Sequence, residues 1–539
     1  MPEMTWQTDR RGFLTIAGLA AGAAACSPLL TGCGKSKSTD TAAANKKVNV
    51  PAYIPWQHAD ADLPAAGGVT AGYFGFPTDP VVGVTHKPGS GGSVTAMVNL
   101  FGSVPPGLSS NAYWQSLNDQ LGVNLKLNMV PDSAYQSKMA TTLAGGQLPD
   151  IVQIRTDQPQ RASVLKALFA NLTEYLSGDA IKDYPFLANL PAYAWPDMIY
   201  NGGIYALPTP RAPVGSILFA RTDLIRAAGH NPAPASFAEF AELCKAVTNA
   251  RKNQWALGAG PTMVSHVMQM TGAPNGWRYQ DGKFTYSYET DEARRALAAT
   301  TGLVKAGVFH PDTFAGTADL RQWLGSGRIA LNRDGYAAWD LLATTYPVDF
   351  GAQAPPTYDG GGDARVYRGA TTFAFTALKK SSNKDRIKEL LRICNWLAAP
   401  VGTKEYLFRK YGTEGVDYTS QSGVPTLTPK GGSQVALPLN YLIDSPPILG
   451  PGPKTRVQAQ YDYQKRVVPT LLEDASLGLY APTDSSKGAV LRKGLLDTMT
   501  EVLQSRKSLA DWDSAIASWR SNGGDTIRRE YQQQYAASH

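Results

Sequence analysis

The chain has 539 residues, 43% hydrophobic, 10% aromatic and 18% charged, which leaves room for two lobes or domains and excludes a largely disordered protein. Lysine and arginine number 51 against 44 aspartates and glutamates, a net charge of +7, but they are scattered rather than gathered in runs, which argues against nucleic-acid binding. The excess suits either an anionic ligand such as a uronate or a generally basic surface.

In chain order the first feature is a leader. Arg10 and Arg11 precede an apolar run from Phe13 to Ala25, shorter than the ~20 residues that span a bilayer, which is the pattern of a signal peptide. The paired arginines followed by Phe13 and Leu14 resemble a twin-arginine export signal, whose machinery moves folded proteins. Leu30, Thr31, Gly32 and Cys33 resemble the cleavage box of bacterial lipoproteins, so residues 1–32 are expected to be removed and Cys33 to carry the lipid. Cys26, behind Ala23 to Ala25, competes but lacks the leucine three residues upstream. Residues 33–90 are expected to form a flexible tether and N-terminal extension, because GKSKSTDTAAANKK offers nothing to bury. Gly34, Lys35 and Ser36 have no glycine five residues before Gly34, so the phosphate-cradling loop of nucleotide hydrolases is missing.

Beyond the tether, SVTAMVNLF from Ser93 reads as a strand, followed by a breaker-rich loop and a helix with Trp114, Leu117 and Leu121 on one face. A second strand alternates Leu125, Leu127 and Met129, a helix carries Tyr135, Met139 and Leu143, and DIVQI at 150–154 is a third strand. Such alternation predicts a mostly parallel sheet with helices on its faces, whose ligand crevice opens at the loops after Leu100 and Ile154. Ser236 and Glu239 form a capping box before a helix burying Phe237, Phe240, Leu243, Cys244 and Val247. Ile387, Leu390, Leu391, Cys394 and Leu397 mark another helix, and GGG at 360–362 and PPILGPGPK at 446–454 mark loops. Cys244 and Cys394 fall on apolar faces, as buried hydrophobes rather than a bridge. The six histidines, His58, His86, His230, His266, His310 and His539, never pair at a metal-ligand spacing, so no metal or other cofactor is expected.

Several longer patterns follow one another. YQSKMATTLAGGQLPDI runs from Tyr135 to Ile151; NGGIYALPTPR at 201–211 leads to LFARTDLIRAAG at 218–229; GRIALNRDGYAAWD occupies 327–340; and RGATTFAFTALKKSSNKDRIKELLRICNWLAAPVGTKEY starts at Arg368. On these, the chain from about Ser93 onward resembles the extracellular solute-binding protein family 1, the maltose-binding type of ABC importer receptor. GWRYQDGKFTYSYET at 276–290, YGTEGVDYT at 411–419 and GGDTIRREYQQQY at 523–535 narrow the likeness to a large oligosaccharide-binding lipoprotein branch that includes alginate-binding receptors. The resemblance implies an α/β, two-lobed periplasmic-binding-protein-like fold of type II, with a ligand cleft between lobes joined by crossing segments. Residues 91–211 and 369–430 would form lobe one, and 212–368 and 431–539 lobe two. It also implies a receptor rather than an enzyme: an exported, monomeric lipoprotein held at the outer face of the cell membrane. Such a receptor takes an oligosaccharide by lobe closure and delivers it to ABC permease subunits with a separate ATPase. Branch members often carry an acidic calcium loop after the helix that here ends near Val247, but TNARKNQWALG at 248–258 has no carboxylate, so no calcium is expected there.

Sugars present apolar ring faces edged with hydroxyls, and a receptor needs aromatic platforms beside planar polar side chains. By the resemblance, Asp157 with Arg155 and Thr156 lies beyond the third strand as a sugar-binding carboxylate or a solvated loop charge. Tyr336 and Trp339 fall on the second lobe's aromatic loop, as stacking platform or core. Trp277, after the turn Pro274 to Gly276, either stacks on ligand or covers a hydrophobic minicore. Arg211 at the first crossing holds a carboxylate or hydroxyl pair, or bridges the hinge; Ser103 and Trp114 flank the first cleft loop. A secreted hydrolase is the alternative, but it needs two carboxylates ~5–9.5 Å apart and no catalytic motif supports it; a structural or signalling lipoprotein would need no aromatic cleft.

Overall fold

The computed structural model describes residues 40–538, except Gln57, Ala259, 316–318, Pro347 and Asp349. Arg10, Arg11, Cys26 and Cys33 therefore lie outside the described residues. The strands that organise the body are, in chain order, β1 (Ser93–Leu100), β2 (Asn124–Pro131), β3 (Ile151–Arg155), β4 (Leu207–Pro210), β5 (Ser216–Ala220), β6 (Trp255–Leu257), β7 (Ile329–Gly335), β8 (Gly351–Gln353) and β9 (Thr372–Leu378).

Lobe one is built on a sheet in the order β2-β1-β3-β9-β4, in which β1 pairs parallel with both β2 and β3, and β9 runs antiparallel to β3 and β4. The sequence explains the order. β1 and β3 are near-continuous apolar runs buried on both faces, as central strands must be, whereas Leu125 alternates with the exposed Asn124 and Lys126 in β2, which lies at the edge. The helix Ala112–Leu121 after β1 begins where the Asn111 side chain accepts from the Trp114 N–H at 2.9 Å, and it ends at Gly122 in the left-handed region. Lobe two carries a sheet in the order β8-β5-β7-β6, with β7 parallel to β6 and antiparallel to β5. Its helix Phe237–Val247 is capped by Ser236 as its sequence predicts, but the Glu239 carboxylate accepts from the Ala235 N–H, one residue earlier than in a capping box.

Three segments pass between the lobes: 211–215, 354–371 and 443–453. The first two touch so closely that a Cβ on Gly369 would sit 2.5 Å from the Gly215 Cα, and only glycine lets the two crossings lie side by side. The third crossing corrects the expected boundary at 430. The helix Leu439–Leu442 packs against β1, β3, β4 and β9, and its Leu442 carbonyl accepts from the hydroxyls of Thr209 and Thr376, so lobe one extends to Leu442.

A second correction concerns the tether. The described residues from Asp40 to Ser90 are packed: the short helix Ala42–Asn45 lies against the helix Asp525–Ser538, Trp56 meets Phe186 of lobe one at 5.0 Å, and Leu63 pairs with Gly72, which in turn pairs with Leu449. Val69 is buried with Val457 of lobe two, and the chain then returns to pair Val81 with Thr403 on lobe one. This strap is a fourth passage over the hinge. Cys394 is buried in the core of lobe one and Cys244 in that of lobe two, as free thiols whose pKa values burial pushes up, that of Cys394 to about 12. No helix among the described residues is long and apolar enough to cross a membrane.

Candidate ligand-binding site

The carboxyl end of β1, the amino end of β9 and the third crossing converge on one gap between the lobes. The chain leaves β1 directly into Phe101, which is 51% exposed. Phe373 is the second residue of β9 and the only one of that strand not buried, and Tyr441 stands on the short helix ahead of the third crossing. The Phe101 and Phe373 rings each lie 5.0 Å from Tyr441 and 5.8 Å from one another. They meet at tilted or edge-on angles, which leaves faces open to a third party. Phe101 and Tyr441 line a cavity of about 530 Å³ with Ser103, Val104 and Lys410. Lys410 also borders an adjoining cavity of about 240 Å³, walled by Arg211 and Asp444 on one side and by Tyr336, Asp340 and Gln460 of lobe two on the other. Together they fall within the ~300–1,000 Å³ of small-molecule sites.

Charge in this gap is arranged around a few carboxylates. Asp444 accepts from Arg409 Nη2 at 2.8 Å and Lys410 Nζ lies 3.1 Å away. Burial works to raise its pKa, but the two cations outweigh burial and hold Asp444 well below the usual carboxylate range. Lys410 is shifted down, by burial first and by repulsion from Arg409 and Arg211 in addition. Across the gap Asp340 pairs with Arg456 at 3.3 Å and accepts from Gln460 Nε2 at 2.8 Å. Arg321 of lobe two pairs with Asp334 at 2.7 Å and lies within electrostatic reach of Tyr441. Both lobes therefore present polar groups to the aromatic floor.

Of the residues expected from the sequence, Ser103, Arg211, Tyr336 and Trp339 border this gap. The Tyr336 ring is buried and its hydroxyl is engaged, donating to the Gln460 carbonyl at 3.2 Å and accepting from Gln464 Nε2 at 3.0 Å, so it offers only an edge. Trp339 is corrected to core. It is 3% exposed, with its ring 5.6 Å from Phe219 and 6.2 Å from Tyr463, so it backs the smaller cavity from within the core rather than standing free as a stacking platform. Trp114, 5% exposed with its indole N–H donating to the Leu125 carbonyl at 3.0 Å, belongs to the core of lobe one. Trp277 closes a minicore with Tyr286, Trp519 and Tyr531, and it borders a separate cavity on lobe two. Arg155 and Asp157 pair with each other at 3.1 Å on the rim of lobe one, Asp157 also accepts from Gln136 at 2.6 Å, and the Thr156 carbonyl accepts from Arg161; none of the three borders either cavity.

Sequence reasoning missed Phe101, Phe373 and Tyr441. Phe101 follows the predicted strand end at Leu100, and the rule that ligands meet the carboxyl ends of strands would have reached it. Phe373 and Tyr441 depend on β9 entering the sheet from the far side and on the third crossing, neither of which local pattern reveals.

The profile of the bacterial extracellular solute-binding protein family matches residues 106–404. Among curated proteins, Lipoprotein LipO of Bacillus subtilis (strain 168) is 22% identical over 84% of this chain and 93% of its own length. The polygalacturonan/rhamnogalacturonan-binding protein YtcQ of the same organism is 24% identical over 87% of this chain and 96% of its own. Among solved structures, the calcium-free alginate-binding protein AlgQ2 superposes with a TM-score of 0.63 at 18% identity, covering 84% of this chain and 99% of that one. It shares the two-lobed fold.

Proposed function

Because this chain belongs to the bacterial extracellular solute-binding protein family, we propose that it is the receptor of an ABC importer, which captures an oligosaccharide between its lobes and releases it to a membrane permease. The observation that carries this reading is the floor of Phe101, Phe373 and Tyr441 at the cleft, framed by Arg211 and Lys410 on one lobe and by Asp340 and Gln460 on the other. Aromatic faces take the C–H faces of sugar rings, and charged planar groups satisfy paired hydroxyls. A ligand touching both walls stabilises the closed arrangement by differential contact alone. The names of the relatives, a lipoprotein and two polysaccharide-binding proteins, support the same reading.

In this reading the protein catalyses nothing. Asp444 and Asp340 are held by cations, and Asp444 is shifted away from the raised pKa that a general acid for glycoside cleavage requires. It sits on the outer face of the cell membrane through a lipid on Cys33, and the importer's ATPase is a separate chain. An oligosaccharide array followed by calorimetric titration tests this. The expected outcome is saturable binding of one glycan class, recovered unchanged by chromatography. A shortened product would make the protein a hydrolase, and an array with no binder would remove the sugar reading.

A further inference from the structure

Arg211 is the most conspicuous charged group of the cleft. Its guanidinium is half-buried, lies 4.5 Å over the centre of the Phe373 ring, and makes no hydrogen bond or ion pair among the described residues. Its backbone is fully used, since its N–H donates to the Thr371 carbonyl at 3.0 Å and its carbonyl accepts from the Tyr193 hydroxyl at 2.6 Å. The backbone is thus fixed at the crossing while the guanidinium has no direct partner among the described residues and feels Asp444 only through the field of a carboxylate shared with other cations. Asp444, the nearest carboxylate, is already saturated: one oxygen takes Arg409 and the Ser445 N–H, and the other takes Lys410 at 3.2 Å.

The remaining carboxylates are committed as well. Asp340 is held by Arg456 and Gln460, and Asp334 by Arg321. The charged residues that line the two cavities are Arg211, Arg409 and Lys410 against Asp340 and Asp444, three cations to two carboxylates, and Asp340 is further held from outside by Arg456. In the open cleft water screens the surplus. A neutral ligand that expelled that water would leave a guanidinium desolvated and unpaired, which is costly. A ligand bringing its own anion would supply the missing partner, and a guanidinium over an aromatic ring presents its in-plane N–H fork to a carboxylate.

We propose that the ligand is an acidic oligosaccharide, with the carboxylate of one sugar unit bound by Arg211 beside Lys410 while neighbouring rings lie on Phe101 and Tyr441. This rests on the reading of the protein as a sugar receptor and adds the charge class of its ligand. Lys410, shared by both cavities, joins the anion subsite to the aromatic floor.

The test titrates the protein with trimers of galacturonate, glucuronate, mannuronate and guluronate, and with the same trimers after reduction of each carboxyl to the primary alcohol. At least one uronate trimer is expected to bind, and its reduced form to bind roughly 10- to 100-fold more weakly, the loss of a charge-assisted hydrogen-bond pair. Arg211→Gln is expected to weaken the uronate by a similar factor and to change the reduced trimer by less than about threefold, with an unaltered melting temperature. Sulfated neutral trimers serve as a further arm, and tighter binding of these than of any uronate would overturn the carboxylate assignment. If a reduced trimer, or a neutral glycan from the array, binds as well as every uronate, the acidic-ligand inference falls and the receptor reading stands. If no glycan of either kind binds, both fall.

Discussion

At the scale of single residues, Trp339 and Phe101 show why composition alone misplaces a site. Both are large, apolar and adjacent to the cleft, yet Trp339 has Phe219, Tyr336 and Tyr463 around it and Phe101 has half its surface open. Trp339→Ala is expected to cost about 3–5 kcal/mol of stability, as a buried tryptophan does. Phe101→Ala should leave the melting temperature nearly unchanged and weaken ligand binding about tenfold, the loss of one stacking contact plus its buried area. Denaturant melts and titrations on the two variants separate the roles; a stable Trp339→Ala protein with lost affinity would return that residue to the site. From the sequence the two could not be ranked. The exposure of an aromatic is set by what the chain brings from elsewhere, here the helix Lys454–Val467 that supplies Tyr463.

At the scale of elements, the strands of the first half were legible because each carries its own period, continuous apolar runs in β1 and β3 and alternation in β2, and so was the helix Ala112–Leu121 with its Asn111 cap and apolar face. The strap over residues 63–74 was not legible, since its stretch of alanine, glycine and proline has no periodicity and is held by single long-range contacts. One of these joins it to the cleft wall. Gln464 is fully buried, its Oε1 accepts from the Thr70 N–H at 2.9 Å, and its Nε2 donates to the Tyr336 hydroxyl. Gln464→Leu leaves a buried N–H without its acceptor and is expected to lower stability by roughly 1–3 kcal/mol. Amide exchange at Thr70 should accelerate with it, whereas Gln464→Glu keeps the acceptor and should retain most of the protection. Unchanged exchange at Thr70 in Gln464→Leu would mean that the strap is held by its other contacts.

For the whole molecule, the two-lobed architecture was within reach of sequence only through resemblance, because long-range pairing decides which strands share a sheet. The proposed membrane attachment belongs to this scale too. The described chain is packed on lobe one from Asp40, whose carboxylate accepts from the Asn201 N–H at 2.7 Å, so the sequence from Gly34 to Thr39 is all that separates the packed body from Cys33, and a lipid on Cys33 would keep the body close to the bilayer. Cys33→Ala is expected to move the protein from the membrane fraction to the soluble extracytoplasmic fraction with its ligand affinity intact. Retention in the membrane fraction would place the anchor elsewhere, with Cys26→Ala as the next variant to fractionate.

The position of β9 bears on how the protein is made. This strand lies between β3 and β4, yet it leaves the ribosome only after the larger part of lobe two has been synthesised. At about 5–20 residues per second, the interval between residues 155 and 378 lasts on the order of ten to forty seconds, during which the inner edge of β3 has no partner. An unpaired edge of this kind recruits other strands, its own or a neighbour's. The Thr70 N–H waits longer still for Gln464, which lies 394 positions away. We propose that both lobes are completed in the compartment of synthesis before export, the route that a twin-arginine signal at Arg10 and Arg11 would provide.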